Sequence, residues 1–238
     1  MQYPLANKYS QEFLQANIMG PNPLKLLEEL FSLHRPQAGE LVLDLGCGRG
    51  VTSIFMAREY GLRVFATDLW IPATENKQRF DEFALTAEQI VPIHADAHEL
   101  PYADNFFDSI VSVDSYHYFG LDKEYLGKYL LPLLKPQGYL LIVVPGFKED
   151  YHQNLPAELL LSWTPQDLET MQDTNVWRHT LEATPGLRIA KIVQMESMQE
   201  CWDDWLACDN EYSVGDRQTM NAGGGKYLNF IAIIAQKL

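Results

Sequence analysis

The feature that most constrains this chain is a glycine-rich turn directly behind a short apolar run, LVLDLGCGRG, at residues 41–50. An uninterrupted apolar run is typical of a buried strand, and glycine tolerates positive φ and close approach of other groups to the backbone. Farther along the chain, β-branched apolar segments alternate with amphipathic ones. This alternation predicts an α/β fold: a doubly wound, seven-stranded, mostly parallel sheet with helices on both faces and a small cap.

The apolar and amphipathic patterns place individual elements. Strands are predicted near 41–45, 63–67, 91–94, 108–113, 139–144, 187–194 and 228–236, and helices near 51–60, 75–88 and 122–134. A further helix precedes the first strand, with Asn22 as N-cap and Pro23 in its first turn. We expect one domain over residues 1–238, with an N-terminal helical segment at 1–35 and a cap insertion at about 147–186.

Composition excludes several classes of partner. Thirty-two acidic against 18 basic residues give a formal charge of -14, which repels nucleic acid and anionic membranes. No apolar run approaches the roughly 20 residues that span a bilayer, and no leader peptide is recognisable, so we expect a soluble, cytoplasmic protein. Three cysteines without a CxxC pair and six scattered histidines argue against a disulfide framework and a metal site. The oligomeric state stays open, a homodimer being possible.

A glycine turn between a strand and a helix brings backbone N–H groups close to a ligand. Dinucleotide dehydrogenases use the spacing GxGxxG to hold a pyrophosphate, whereas the spacing here is GxGxG at Gly46, Gly48 and Gly50, with Asp44 two places earlier. Ligands of open α/β sheets lie beyond the carboxyl ends of the strands. Three more aspartates end the predicted second, third and fourth strands: Asp68, Asp96 and Asp114.

Five segments in order resemble the class I S-adenosylmethionine-dependent methyltransferases of the small-molecule type: LDLGCGRG, VFATDLW, PIHADAHELPY, DNFFDSIVSVDSYHYF and LLKPQGYLLIV. The resemblance runs from about residue 40 to residue 145. It implies a Rossmann-like domain that binds S-adenosylmethionine and transfers its methyl group to a small-molecule acceptor by in-line displacement. The sequence leaves open which acceptor is used, and whether oxygen, nitrogen, sulfur or carbon is methylated.

The resemblance also implies which residues bind the cofactor. The three glycines shape the loop beside its methionine portion, and Asp44 orients that loop and lies near the amino group. Asp68 accepts hydrogen bonds from both ribose hydroxyls, and Leu69 or Trp70 covers one face of the adenine. A carboxylate that accepts two hydrogen bonds changes affinity by a hundredfold or more on an order-of-magnitude basis.

The remaining implied contacts lie at the next two strand ends. Asp96 accepts a hydrogen bond from the exocyclic amine of the adenine, and Ala97 and His98 supply backbone and edge contacts. The main chain at 113–115, including Asp114, meets the amino group of the methionine portion.

The substrate pocket is less clearly marked. Tyr116 and His117 follow the fourth strand, and His117 would be a general base for a nucleophile that must lose a proton, because imidazole titrates near neutral pH. The alternative is a hydrogen-bonded histidine that shapes the substrate wall. Tyr9, Met19 and Gly20 would fold over the cofactor as a lid, unless this segment is a frayed helix.

Aromatic residues near the C-terminus allow two interpretations. Met198, Trp202 and Trp205 recur at helical spacing, which favours packing in the core over a wall of aromatic faces for a cationic or aromatic substrate. A three-cysteine arsenic-methylating site is opposed by the position of Cys47 inside the glycine loop.

Two rival functions remain. A nicotinamide-dependent oxidoreductase has the same strand, glycine turn and distal acid. A sensor or scaffold would keep the cofactor fold without turnover, although the intact loop and acids favour an enzyme.

Overall fold

Seven strands form one sheet in the computed structural model, which describes residues 2–238. They are β1 Leu41–Leu45, β2 Arg63–Asp68, β3 Ile90–His94, β4 Phe107–Val113, β5 Leu134–Phe147, β6 Leu187–Gln194 and β7 Leu228–Lys237. Their order is β3-β2-β1-β4-β5-β7-β6, and only β7 runs antiparallel to its neighbours. The predicted seven-stranded, mostly parallel sheet is confirmed. The chain order reverses between β1 and β4, the kind of point where open α/β sheets bind ligands.

Apolar side chains cover both faces of the sheet. Along β5, Leu141 and Val143 belong to one buried cluster, whereas Leu140 and Ile142 belong to the cluster on the opposite face. Successive side chains of a strand point to opposite faces, so a strand covered on both sides needs a continuous apolar run. The apolar runs of β1, β5 and β7 therefore follow from their burial.

The α-helices are α1 Gln11–Asn17, α2 Pro23–Leu33, α3 Val51–Glu59, α4 Ala73–Glu82, α5 Pro165–Leu168, α6 Thr174–Glu182, α7 Met198–Leu206 and α8 Glu211–Asn221. The predicted start of α2 is confirmed, because the Asn22 side chain accepts hydrogen bonds from the N–H groups of Leu24 and Lys25. No helix in residues 2–238 has both the length and the apolar character required to cross a membrane.

Two predicted helices differ from the structure. The segment 122–134 forms a π-helical turn at Leu126–Leu130 and a 3-10 turn at Leu131–Leu133, since Pro132 has no N–H and its ring obstructs a regular helix. Helix α4 ends at Glu82, before the predicted residue 88. Ala84 has φ 54°, and the N–H of Leu85 returns to the carbonyl of Phe80, which closes a left-handed helix end.

The aromatic stripe of α7 packs in the core. Trp202 and Trp205 are 6% and 2% exposed and belong to the same buried cluster as Met198. The packing interpretation of this stripe is confirmed. Helix α6, inside the predicted cap segment, also packs on the sheet, and its Trp177 is fully buried.

Two neighbouring glutamates of α2 bind the starts of two other segments. Glu28 accepts hydrogen bonds from the N–H groups of Leu5 and Ala6, at 3.1 and 2.7 Å. Glu29 is buried and accepts from Glu196 and Ser197, both at 2.8 Å, just before α7. Helix α2 therefore holds the N-terminal segment and α7 together.

Replacing Glu29 by glutamine should lower the free energy of unfolding by about 2–4 kcal/mol, because the two backbone N–H groups lose a charged acceptor in a buried place. Urea denaturation measures the change. The exposed Glu82→Gln on α4 is the matched control and should alter stability by less than about 0.5 kcal/mol. Equal effects of the two substitutions would show that Glu29 does not anchor α7.

Candidate functional site

A cavity of about 300 Å³ lies beyond the carboxyl ends of β1, β2 and β4, where the strand order reverses. Its position agrees with the general placement of ligands in open α/β sheets. Five segments contribute its walls: parts of 17–23, 45–52, 67–70, 95–98 and 113–119. The strand ends thus bring together residues that are far apart in the sequence.

The glycine loop is hydrogen-bonded to the end of β2. The N–H groups of Gly46 and Cys47 both donate to the carbonyl of Thr67, at 2.8 and 3.1 Å. The N–H of Gly48 donates to Asp68 Oδ2 at 2.8 Å, and that of Gly50 donates to the carbonyl of Cys47 at 2.9 Å. These four donors are therefore already used within the protein.

The three glycines of this loop all have positive φ, of 73°, 52° and 72° in sequence order. Glycine adopts this conformation without the steric cost that a Cβ brings. At Gly46 a Cβ would also overlap Ser115 Oγ, and at Gly48 it would lie 3.1 Å from Met19 Sδ. Gly46 thus allows the loop to lie directly against the end of β4.

Asp68 lines the cavity and also shapes its backbone. Its Oδ1 accepts hydrogen bonds from the N–H groups of Trp70 and Ile71, at 2.7 and 2.8 Å, and its Oδ2 accepts from Gly48. A carboxylate offers about four acceptor positions. One position on Oδ2 therefore remains for a ligand, fewer than the two that the predicted ribose contact requires.

Asp44 and Gly50 lie behind the loop and do not line the cavity. Their predicted roles beside the cofactor, shaping and orienting the loop, stay predictions. Asp44 is 1% exposed, and its Oδ2 accepts hydrogen bonds from the hydroxyls of Thr52 and Ser53, at 2.7 and 2.5 Å. Burial raises the pKa of Asp44 to about 6. Gly50 faces Phe80, which a Cβ would approach to 2.5 Å.

The other predicted cofactor residues lie around the mouth of the cavity. Leu69, Asp96, Ala97 and His98 line it, as does Trp70. Asp96 Oδ1 accepts hydrogen bonds from the backbone N–H of His98 and from its Nδ1, and these bonds hold the pKa of Asp96 below its usual value.

Tyr9, Tyr116 and His117 do not line this cavity, and their assignment to the substrate pocket stays a prediction. Tyr9 packs among aromatic rings, 5.7 Å from Phe55 between ring centroids. Tyr116 is fully buried. His117 is 5% exposed, and burial lowers its pKa to about 3, so His117 stays neutral and is a poor general base near pH 7.

The structure adds wall residues that the sequence analysis missed. Residues 116–118 form a 3-10 turn, in which side chains three apart lie on one side. Ser115 and Tyr118 consequently face the cavity together. The three-residue spacing of Ser115 and Tyr118 is a signal in the sequence from which these wall residues could be found. The sequence has no such signal for Phe119, which also lines the cavity.

Met19 and Gly20 of the predicted lid do line the cavity, but no residue of the predicted cap at 147–186 does. The cap stays a prediction.

Asp114 lies in the cavity wall in a left-handed backbone conformation, with φ 57°. Its carboxylate lies against Gly20, where a Cβ would come within 2.5 Å of Oδ2. Burial, and secondly the charge of Asp216, raise the pKa of Asp114 to about 7. This carboxyl group can therefore exchange its proton near neutral pH.

Thiol and metal chemistry find little support in the described part of the chain. Residues 2–238 contain no group of three or more histidine, cysteine, aspartate or glutamate side chains arranged to hold a metal ion. Burial raises the thiol pKa of Cys47, Cys201 and Cys208, which disfavours the reactive thiolate.

Residues 43–142, which run from β1 into β5, match a family model described as a methyltransferase domain. This segment of the chain is therefore similar to a methyltransferase domain, as the sequence analysis expected. The matched segment includes the glycine loop and the three aspartates at the ends of β2, β3 and β4 that the sequence analysis singled out.

The individual relatives of this chain differ in name. A sarcosine/dimethylglycine N-methyltransferase of Halorhodospira halochloris is 27% identical over 158 residues, which are 66% of this chain and 55% of the relative. A 2-methyl-6-phytyl-1,4-hydroquinone methyltransferase of Synechocystis sp. is 34% identical over 155 residues, or 61% of this chain and 46% of the relative. The chain spans 55% or less of the length of each of the first three curated relatives.

Solved structures confirm the fold. Phosphoethanolamine N-methyltransferase 2 of Haemonchus contortus, in complex with S-adenosyl-L-methionine, gives a TM-score of 0.74 at 19% identity. The match covers 97% of this chain and 58% of that chain.

Gly46→Ala should destabilise the protein by about 2–4 kcal/mol, because the new Cβ adds left-handed strain and overlaps Ser115 Oγ. Gly39→Ala is a matched control with φ 88° and open space around its Cβ, so it measures strain alone, about 1–2 kcal/mol. Ser115→Gly should recover part of the loss in Gly46→Ala. Urea denaturation of both single variants and the double variant measures these terms, and purely additive effects would contradict the proposed overlap.

The stability of Asp114→Asn relative to the wild type should increase with pH. Because the pKa is about 7 in the folded state and 3.8 in the reference state, the folded wild type becomes progressively less stable as pH rises from about 4 to 7. Asparagine lacks this charge and tolerates left-handed backbone. Denaturation at pH 4 and pH 8 should show a relative gain of more than about 1 kcal/mol at the higher pH. A pH-independent difference would contradict the raised pKa of Asp114.

Proposed function

We propose that this methyltransferase binds S-adenosylmethionine in the cavity and transfers its methyl group to a small-molecule acceptor. The proposal rests on the hydrogen bonds of the glycine loop, because they determine which ligand groups the loop can bind.

A pyrophosphate fits this loop poorly. Phosphate sites at glycine turns need backbone N–H groups that point to the ligand. Here the N–H groups of Gly46, Cys47, Gly48 and Gly50 all donate within the protein. The guanidinium of Arg49 donates to the carbonyl of Ala16 at 2.6 Å. A nicotinamide dinucleotide therefore finds few free donors, which argues against the oxidoreductase.

S-adenosylmethionine fits the same surface better. Asp68 keeps one acceptor position for a ribose hydroxyl, and Asp96 lies at the rim where a base amine can donate. Leu69 and Trp70 are 50% and 65% exposed beside that rim, so they are available to cover an adenine ring. The carboxylates of the wall also suit a ligand that carries positive charge on sulfur and nitrogen. Asp44 and Gly50 contribute from behind by supporting the loop.

The chain's own part in the reaction is mainly positioning. When bound, S-adenosylmethionine supplies a methyl group that is activated by its bond to positively charged sulfur. The loop and the segment 17–23 hold the reactants and exclude water from the cavity. Keeping the nucleophile and methyl carbon at about 3–3.5 Å with aligned orbitals supplies roughly 7–11 kcal/mol.

The relatives named above are methyltransferases of small amines and of a hydroquinone, and this supports a small-molecule acceptor here. The net charge of -14 supports the exclusion of nucleic acid. The three cysteines are free thiols, which supports a cytoplasmic location, since thiols stay reduced in the cytoplasm. A sensor that binds the cofactor without turnover remains the second candidate, and turnover tests distinguish it.

Asp68→Ala should weaken binding of S-adenosylhomocysteine about tenfold or more, because the ligand loses a charged acceptor and the loop loses the hydrogen bond from the Gly48 N–H to the end of β2. Calorimetry measures the affinity, and circular dichroism checks that the variant folds. Asp104→Ala, an exposed aspartate in a loop, is the matched control and should bind like the wild type.

The proposed function is tested on the wild type in two steps. Tight binding of S-adenosylhomocysteine but not of NADH, seen as a rise in Tm, supports the cofactor. Methyl-labelled S-adenosylmethionine is then incubated with amines, phenols, thiols and acids. Stabilisation by NADH alone would overturn the proposal in favour of the oxidoreductase, and tight binding without any transfer would favour the sensor.

A further inference from the structure

Asp114 differs from the other aspartates that line the cavity. Asp68 accepts three backbone hydrogen bonds, and Asp96 accepts two from His98. No donor within residues 2–238 is hydrogen-bonded to the Asp114 carboxylate, although the group is half-buried. A carboxylate removed from water without a partner is costly, so a ligand that provides one gains binding energy there.

The surroundings of Asp114 are negatively charged. Asp216 of α8 is near enough to raise the pKa of Asp114, and Asp216 itself is held by a hydrogen bond from Trp205 Nε1 at 2.8 Å. Tyr118 faces both Asp114 and Asp167, whose charges add to the effect of burial in raising the pKa of Tyr118. A cation is favoured at this wall, and an anion is repelled.

Asp114 and the residue after it contact different segments of the cavity wall. The next residue, Ser115, places its Oγ against Gly46 of the glycine loop. Asp114 instead places its carboxylate against Gly20 of the N-terminal segment and near Asp216. The Asp114 carboxylate is therefore in contact with the N-terminal segment rather than with the glycines of the loop.

We propose that the methyl acceptor is an amine, whose ammonium group binds Asp114 in the cavity wall beside Gly20 and gives its proton to that carboxylate. This inference rests on the proposed function and reassigns Asp114 from the cofactor, where the family resemblance places it, to the acceptor. Asp216 is a positioning residue that increases the negative field at Asp114.

The step is balanced in atoms and charge. The ammonium group, R–NH3+, transfers one proton to the Asp114 carboxylate and becomes a neutral amine. Its nitrogen lone pair forms a bond to the methyl carbon, while the carbon–sulfur bond breaks and its electrons remain on sulfur. The products are R–NH2CH3+, a neutral thioether and a protonated Asp114, which later releases its proton to water. A pKa of about 7 allows Asp114 to take and release this proton near neutral pH.

The test compares two probes of similar shape, n-propylammonium and n-propanol, on protein saturated with S-adenosylhomocysteine at pH 8. NMR titration should show that the ammonium binds about tenfold more tightly or better, and that Asp114→Asn removes this preference. Asp104→Asn, which changes an exposed aspartate in the same way, should keep it. Asp216→Asn should reduce the preference without removing it.

Both the acceptor and the cofactor carry a group that can bind Asp114 as an ammonium ion, and two further measurements distinguish them. Asp114→Asn should bind S-adenosylhomocysteine within about twofold of the wild type, but should lose about tenfold or more of methyl transfer to primary amines. A loss of S-adenosylhomocysteine affinity of about tenfold would instead show that Asp114 holds the amino group of the cofactor, and would overturn the inference.

The remaining outcomes are also decisive. Equal affinities for the two probes, or methyl transfer to phenols or thiols with none to amines, would overturn the inference and leave the proposed function standing. Failure of the wild type to bind S-adenosylhomocysteine would overturn the proposed function, and the inference with it.

Discussion

The end of β2 is the point on which the rest of the site depends. The carbonyl of Thr67 and the carboxylate of Asp68 together accept three N–H groups of the glycine loop, and Asp68 also accepts two from the chain that follows it. One strand end thereby sets the conformation of two loops. It also occupies three N–H donors that an anion at the loop would need, so the hydrogen-bond pattern separates this cavity from a pyrophosphate site more sharply than the spacing of the glycines does.

Close contacts at the end of β4 bring two segments together around the cavity. Gly46 of the loop accommodates Ser115, and Gly20 of the N-terminal segment accommodates Asp114. Farther from the cavity, α2 joins the N-terminal segment to α7 through Glu28 and Glu29. The positions of the reactive groups therefore depend on contacts well outside the cavity. A reaction that proceeds mainly by positioning its reactants needs few catalytic side chains.

Much of the fold followed from local patterns. Continuous apolar runs predicted the strands because a sheet covered on both faces requires them, and the cap at Asn22 fixed the start of α2. The helix predicted at 122–134 was wrong since Pro132 prevents a regular turn there. In the site, the loop and the aspartates at strand ends were predictable, because each directly follows an apolar run that can be recognised in the sequence.

The sequence by itself determined the sheet, the glycine turn and the set of acids around it, since each depends on residues within a few places of one another. Only the tertiary structure decided which side chains face the cavity. Tyr118 lines it while Tyr116 and His117 are buried, because a 3-10 turn rotates them apart. Asp44 lies beneath the loop, and Asp114 meets Gly20 and Asp216, because α2, α8 and the sheet pack in three dimensions. Contacts between distant segments have no signature in the local sequence.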